Sequence, residues 1–215
     1  DSAYRTFVDR LSKTKDSARE KSTKKRKNLG LRTARENLDD LVDPGSFLEF
    51  GAFAVAAQRN RRDYEELQLE TSADGILTGF CNINEDEVGE DNSHAAAIIY
   101  DYSVLAGSQG FFHHQKLDRI CEKAEEFSLP VVIFTEGGGG RPGDTDVTTQ
   151  IAGLHIPSFS TWARLTGKCL KIAVNNGYCF AGNAVLFGCS DFMIATKQSW
   201  ICLLYTSPSP RDLST

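Results

Sequence analysis

The stretch CLKIAVNNGYCFAGNAVLFGCSDFMIA (Cys169–Ala195) carries a strand, a turn, a helix and a second strand in close succession. CLKIAVNN has the short apolar run of a buried strand, and Gly177 supplies a tight turn. Ala181-Gly182 opens a helix through GYCFAGNAVLFG, and DFMIA starts the next strand. Strand–helix–strand spacing of this kind predicts an α/β fold with buried, largely parallel strands. Small residues at the helix start leave N–H groups that no intrahelical acceptor reaches and that carry the positive end of the helix dipole. The same residues also suit tight helix–strand packing, so this motif alone leaves both readings open.

Upstream, LPVVIFTEGGGGRPGDTD (Leu129–Asp146) sends another buried strand into four consecutive glycines, which are costly to order. Gly138-x-Gly140-x-x-Gly143 formally matches a dinucleotide fingerprint. Pro142 interrupts it, however, and no helix opens for a pyrophosphate. No Gly-Lys-Ser/Thr follows, which excludes a phosphate loop of the Walker type. A flexible turn and a site where backbone N–H groups meet a ligand remain.

Further outward, GILTGFCNI and HAAAIIYDYSV flank an acidic turn as a predicted hairpin. Residues 109–128 carry a helical stripe of Phe112, Leu117, Ile120, Cys121, Ala124 and Phe127, and Pro157–Thr166 also reads as helix. VLAGSQG approaches a nucleophile elbow at Ser108, but Ala106 replaces its first glycine and no His/Asp partners follow. Ser108 therefore reads as a helix N-cap, and His113 and His114 as packing or surface residues. TARE (Thr33–Glu36) is a capping box whose short helix stops at DPGSF. Gly51–Asp74 reads as a surface excursion and residues 4–28 as one long polar helix.

The 215 residues carry a net charge of −5 and 40% hydrophobic side chains, ordinary for one globular unit. Arg10–Arg35 holds 11 of the 24 basic residues against Asp16 and Glu20. Without interleaved aromatics this reads as a solvated basic helix rather than a nucleic-acid patch, or as a basic rim for an anionic cofactor. No apolar run reaches bilayer length and no signal peptide is evident, so a cytoplasmic location without membrane contact is expected. The six cysteines form no metal-ligand pattern, which predicts buried free thiols in a reducing compartment and no metal. TSPSPRDLST resembles translated adapter sequence. The expected organisation is a basic extension over 1–32, a domain over 33–201 and a non-native tail over 202–215.

In their order, TARENLDDLVDPGSFLEFG, ADGILTGFCNIN, YDYSVLAGSQGFFHHQK, LPVVIFTEGGGGRPGDTD and NGYCFAGNAVLFGCSDFMIA resemble the N-terminal half of the carboxyltransferase component of biotin-dependent acyl-CoA carboxylases. NGYCFAGNA…CSD is also similar to the enoyl-CoA hydratase signature of the same superfamily. Where the family commonly has Asp-Ser-Gly-Gly-Ala-Arg, this chain has Glu136 to Arg141. Where it has Cys-Ala-Gly-Gly-Ala, this chain has Cys179-Phe180-Ala181-Gly182-Asn183. The EGGGGRPGD form looks most like members that join biotin carboxylase and carboxyltransferase in one long polypeptide.

The resemblance implies a crotonase-like (ClpP/crotonase) α/β fold of repeated ββα units. It also implies transfer of a carboxyl group from carboxybiotin to the α-carbon of an acyl-CoA, a reaction of fatty acid metabolism. The biotin ureido group is the base there, so no protein acid–base pair is required. The implied oxyanion donors are the backbone amides of Gly138, Gly139, Ala181 and Gly182. Ala106, Gly107, Ser108, Gly140, Arg141 and Phe180 are the implied substrate contacts. The implied partners are a C-terminal carboxyltransferase half, biotin carboxyl carrier and biotin carboxylase domains, and further copies in a homo-oligomer, with no turnover by this segment alone. The alternatives are an enoyl-CoA hydratase or isomerase using Glu136, a biotin-dependent decarboxylase, or a non-catalytic assembly module.

Overall fold

A computed structural model describes residues 2–147 and 156–203. The polar N-terminal region is two helices, α1 (Ser2–Ser12) and α2 (Glu20–Asn28), rather than one. The chain breaks between them, and Thr14 is buried in the break. Helix α3 (Ala34–Leu41) opens on the expected capping box, with the Glu36 N–H donating to the Thr33 hydroxyl and the Thr33 N–H to the Glu36 carboxylate. Strand β1 (Leu48–Phe50) and helix α4 (Tyr64–Glu70) follow. Val55, Ala56, Ala57, Gln58 and Leu67 are buried, so this segment is part of the core rather than a surface excursion. Its arginine- and glutamate-rich composition describes only its outer face.

Strands β2 (Ile76–Asn82) and β3 (His94–Tyr100) form the expected antiparallel hairpin around two short helices, α5 (Glu85–Val88) and α6 (Glu90–Ser93). Helix α7 (Phe111–Phe127) buries Leu117, Ile120, Cys121 and Ala124 but leaves the stripe's ends, Phe112 and Phe127, partly exposed. Strand β4 (Val131–Phe134), helix α8 (Ser158–Arg164) and strand β5 (Lys171–Asn175) come next. They are followed by β6 (Tyr178–Phe180), α9 (Gly182–Gly188), β7 (Phe192–Ala195) and β8 (Trp200–Cys202). Cys202 thus sits in a strand, and the rest of the expected tail from residue 204 lies outside the described residues.

The main sheet runs β1-β2-β3-β4-β5-β7, antiparallel as far as β3 and parallel beyond it. Along β3, Ala96, Ile98 and Tyr100 face the cluster that includes α7, while Ala95, Ala97 and Ile99 face α3. Both faces are covered, as parallel strands require. Strand β6 leaves this sheet and pairs in parallel with β8, and Gly137 bridges Cys179 on the other side of β6. Strands β3, β4 and β5 thus each feed a segment of a second, smaller layer before the next helix. This is the repeated ββα plan, and its second layer carries both glycine-rich segments.

Candidate active site

The four glycines lie where three backbones converge. The Gly137 N–H donates to Tyr178 O at 2.7 Å and Gly137 O accepts from Phe180 N–H at 2.9 Å. A Cβ on Gly137 would strike Asn183 and Gly107 O. Gly139 has φ +88°, and a Cβ there would meet the Ala181 Cβ at 2.7 Å. Close approach, not flexibility, therefore repays the ordering cost of the run. Gly140 differs: its φ is ordinary and a Cβ would meet nothing within 4 Å.

Three of the four amides expected as donors already have acceptors within the fold. The Gly138 N–H donates to Ala106 O at 2.9 Å, and the Gly139 N–H to Asn183 Oδ1 at 3.1 Å. The Ala181 N–H donates to Cys202 O at 3.0 Å. These three amides are spent on the turn at Ala106, on the Asn183 side chain and on strand β8, and are not free to meet an oxyanion. Among the described residues, the N–H groups of Gly140 and Gly182 have no acceptor. Both residues line one cavity of about 460 Å³, with Gln109, Pro142 and Phe159 in its wall. Ala181, just before the helix, holds φ 49° and ψ −119°, a strained conformation for a residue with a Cβ.

The other expected contacts divide. Leu105, Ala106 and Gly107 take three consecutive positive φ values of 47°, 57° and 62°. That turn brings Gly107 onto Glu136 O, so that a Cβ would lie 2.6 Å from it. Ser108 is not the N-cap of α7, a position Gly110 occupies. Its hydroxyl donates to Leu105 O at 2.6 Å and accepts from Arg141 Nε at 3.2 Å. The Arg141 guanidinium is buried among Asp74, Asp144 and Ser108 O, so its donors are spent within the fold although Arg141 borders the cavity. Phe180 is half-buried and its ring lies 5.7 Å from that of Tyr178. Tyr178 and Ala106 line a second cavity of about 360 Å³, closed on the far side by Lys25 and Arg26 of α2.

Arg26 overturns the reading of α2 as a merely solvated basic helix. Its guanidinium grips the Glu136 carboxylate with two bonds, of 2.8 and 2.6 Å, and both side chains are more than nine-tenths buried. Arg19 pairs likewise with Asp101 at 2.8 Å. His113 and His114 pack inside rather than act as a base. Burial, with Arg141 adding to it, holds His113 well below its ordinary pKa and His114 at about 4. Cys81, Cys121, Cys169 and Cys179 are buried free thiols as expected, whereas Cys189 is exposed and Cys202 half-buried. Arg26, Asn183 and Asp74 escaped the sequence reading, because nothing in local spacing marks a side chain whose partner lies tens of residues away, and Gln109, nine residues from Tyr100, escaped it too.

The carboxyl transferase domain profile matches residues 25–209. The chain belongs to the carboxyl transferase domain family. It is similar to the biotin-dependent long chain acyl-coenzyme A carboxylase beta4 subunit of Mycobacterium tuberculosis, with 32% identity over 88% of this chain and 33% of that protein. The structure of a single-chain, multi-domain long-chain acyl-CoA carboxylase superposes with a TM-score of 0.87 at 46% identity, covering 94% of this chain and 20% of that one. Transcarboxylase 12S superposes at 0.73 with 27% identity, over 92% of this chain and 37% of the other. The chain spans about a third of the length of the curated relatives it matches. Its carboxyltransferase fold is the crotonase-like one expected from the repeated ββα plan. Among the described residues no helix is long and apolar enough to cross a membrane, and no three His, Cys, Asp or Glu side chains converge as for a metal.

Proposed function

We propose that this segment is the acyl-CoA-binding half of a biotin-dependent carboxyltransferase. The carrying observation is that Gly140 and Gly182, one from each glycine-rich segment, bring unpartnered N–H groups to the wall of one cavity. The substrate is an acyl-CoA whose thioester oxygen lies between those two amides. Charge grows on that oxygen as the α-proton leaves, and fixed donors in a water-poor wall stabilise it most at that moment. Carboxybiotin, delivered by a separate domain, supplies the CO₂ and the ureido base.

The residues of this chain then have only to bind, orient and hold charge. Glu136, the acid nearest the glycine run, is committed to Arg26, which argues against the hydratase reading, because that chemistry needs a free carboxylate over the α and β carbons. The 46% likeness to a single-chain carboxylase supports an origin in a long polypeptide that also carries biotin carboxylase and biotin carrier domains. We place the protein in the cytoplasm as a homo-oligomer, with the C-terminal carboxyltransferase half completing the site, so this segment alone does not turn over.

Gly182→Val in the full-length protein tests the assignment. A side chain there collides with Gln109 and meets Phe159 Cζ at 3.0 Å, so carboxyl transfer from carboxybiotin to acyl-CoA should vanish. Wild-type transfer in that variant refutes it.

A further inference from the structure

Gln109 stands in the cavity wall beside Gly140 and Gly182, and the reading above leaves it without a task. It is only 3% exposed, and its backbone is fixed on both sides. Its N–H donates to Gly139 O at 2.7 Å and its carbonyl accepts from Arg141 N–H at 3.0 Å. One end of the side-chain amide lies 2.9 Å from the Tyr100 hydroxyl, with Nε2 as the donor. The other end abuts Gly182, so closely that a Cβ there would collide with it.

Tyr100 decides which end of the amide faces the cavity. The phenol is 2% exposed, with the His113 ring against it at 4.5 Å. Burial pushes its pKa far up, so it keeps its proton. With Nε2 turned toward it, the amide N–H donates to the phenol oxygen, which accepts. The phenol hydrogen then has no acceptor among the described residues, and Oε1 stands bare at the cavity. A half-turn of the amide exchanges two atoms of nearly equal size. The phenol then donates to Oε1 and the NH₂ points past Gly182 into the cavity. Only the turned amide gives the buried phenol hydrogen an acceptor, and an unmade buried hydrogen bond is expensive.

We infer that Gln109 is a third oxyanion donor, a side-chain N–H anchored through Tyr100 that converges with the backbone N–H groups of Gly140 and Gly182. The inference rests on the carboxyltransferase reading above. A neutral amide held in this way donates to the thioester oxygen as it becomes an enolate oxygen, and no covalent bond to the protein forms. A bare Oε1 in the same place would repel that charge.

The test measures carboxyl transfer by the full-length protein and its Gln109→Met, Gln109→Glu and Tyr100→Phe variants, with thermal unfolding as a fold control. Gln109→Met keeps the length of the side chain and loses the donor. Its kcat should fall about 10²-fold, the usual loss for one oxyanion donor, while KM for acyl-CoA stays within about threefold. Gln109→Glu should be slower still, since a carboxylate repels the developing charge. Tyr100→Phe frees the amide and should lower kcat about tenfold, a smaller loss because the donor itself remains. A Gln109→Met kcat within twofold of wild type, or a raised KM at unchanged kcat, overturns the proposal. If Gln109→Met does not fold, unchanged kcat in Gln109→Glu and Tyr100→Phe overturns it equally. An active wild type with a dead Gly182→Val and normal Gln109 variants removes only the third donor. A wild type that carboxylates no acyl-CoA removes the underlying reading as well.

Discussion

Arg26→Met in the 215-residue chain isolates the buried link between the N-terminal helix and the glycine run. The guanidinium makes two bonds to Glu136, and its Nε and Nη2 also donate to Arg32 O at 3.0 and 2.7 Å. Methionine fills much of the same volume but leaves the Glu136 carboxylate, 3% exposed at its side chain, without a partner. Stranding one member of a buried pair costs about 3–5 kcal/mol, a large share of the roughly 5–15 kcal/mol that holds a domain folded. Replacing both members is far milder, so Arg26→Met/Glu136→Gln should recover most of the loss and give a coupling energy of about 2–3 kcal/mol. Urea unfolding of the wild type, both single variants and the double variant measures each term. An Arg26→Met cost under about 1 kcal/mol, or costs that merely add in the double variant, would refute the argument that the charges depend on each other.

The two middle glycines should respond in opposite ways. Gly139→Ala forces a Cβ into a positive-φ residue and against Ala181, and should cost more than about 1 kcal/mol in the same assay. Gly140→Ala has ordinary φ and open space, keeps its N–H, and should leave stability within about 0.5 kcal/mol and carboxyl transfer in the full-length protein intact. Acid should destabilise the fold through the buried histidines. The unfolded chain takes up protons near the ordinary value of 6.5, while His114 resists them to about 4 and His113 is held well below 6.5. The unfolded state therefore binds more protons in that window. The His114 contribution is complete above pH 6.5 and falls by about 1.4 kcal/mol per pH unit as pH drops toward 4, and the His113 contribution falls in the same direction. His114→Asn should flatten the slope of urea stability between pH 7 and pH 5, and an unchanged slope contradicts the assignment. Arg141→Lys removes the fork that reaches Asp74, Ser108 Oγ and Ser108 O together, and should cost about 2 kcal/mol by thermal or urea unfolding.

Periodicity and turn chemistry carried the elements well, because each depends on neighbours a few residues apart. The capping box at Thr33, the hairpin of β2 and β3, and the parallel strands β4, β5 and β7 all form as their local patterns imply. The failures share one cause. The segment after Gly51 is polar along much of its length yet buries Val55, Ala56 and Leu67, since tertiary contacts rather than composition decide its inner face. Helix α2 looks uniformly basic, but one of its five Lys and Arg side chains is buried on a carboxylate 110 residues away. No window of local sequence contains that pairing.

The proposed oxyanion donors show the same limit at atomic scale. Glycines mark where backbone is uncovered, and that was enough to find both walls of the cavity. They do not mark which N–H is still free, because a bare backbone serves equally well for bonding to another backbone. Gly138, Gly139 and Ala181 spend their amides on Ala106 O, Asn183 Oδ1 and Cys202 O, and in doing so they fix where Gly140 and Gly182 stand. The family pattern places alanine where this chain has Gly140, and the open space around that residue gives the reason. A side chain is tolerated at the one glycine of the run whose amide faces the cavity, while Gly139, at positive φ and against the Ala181 Cβ, admits none without strain. Structural glycines and the proposed functional one thus stand side by side in a single run, and only the tally of hydrogen-bond partners separates them.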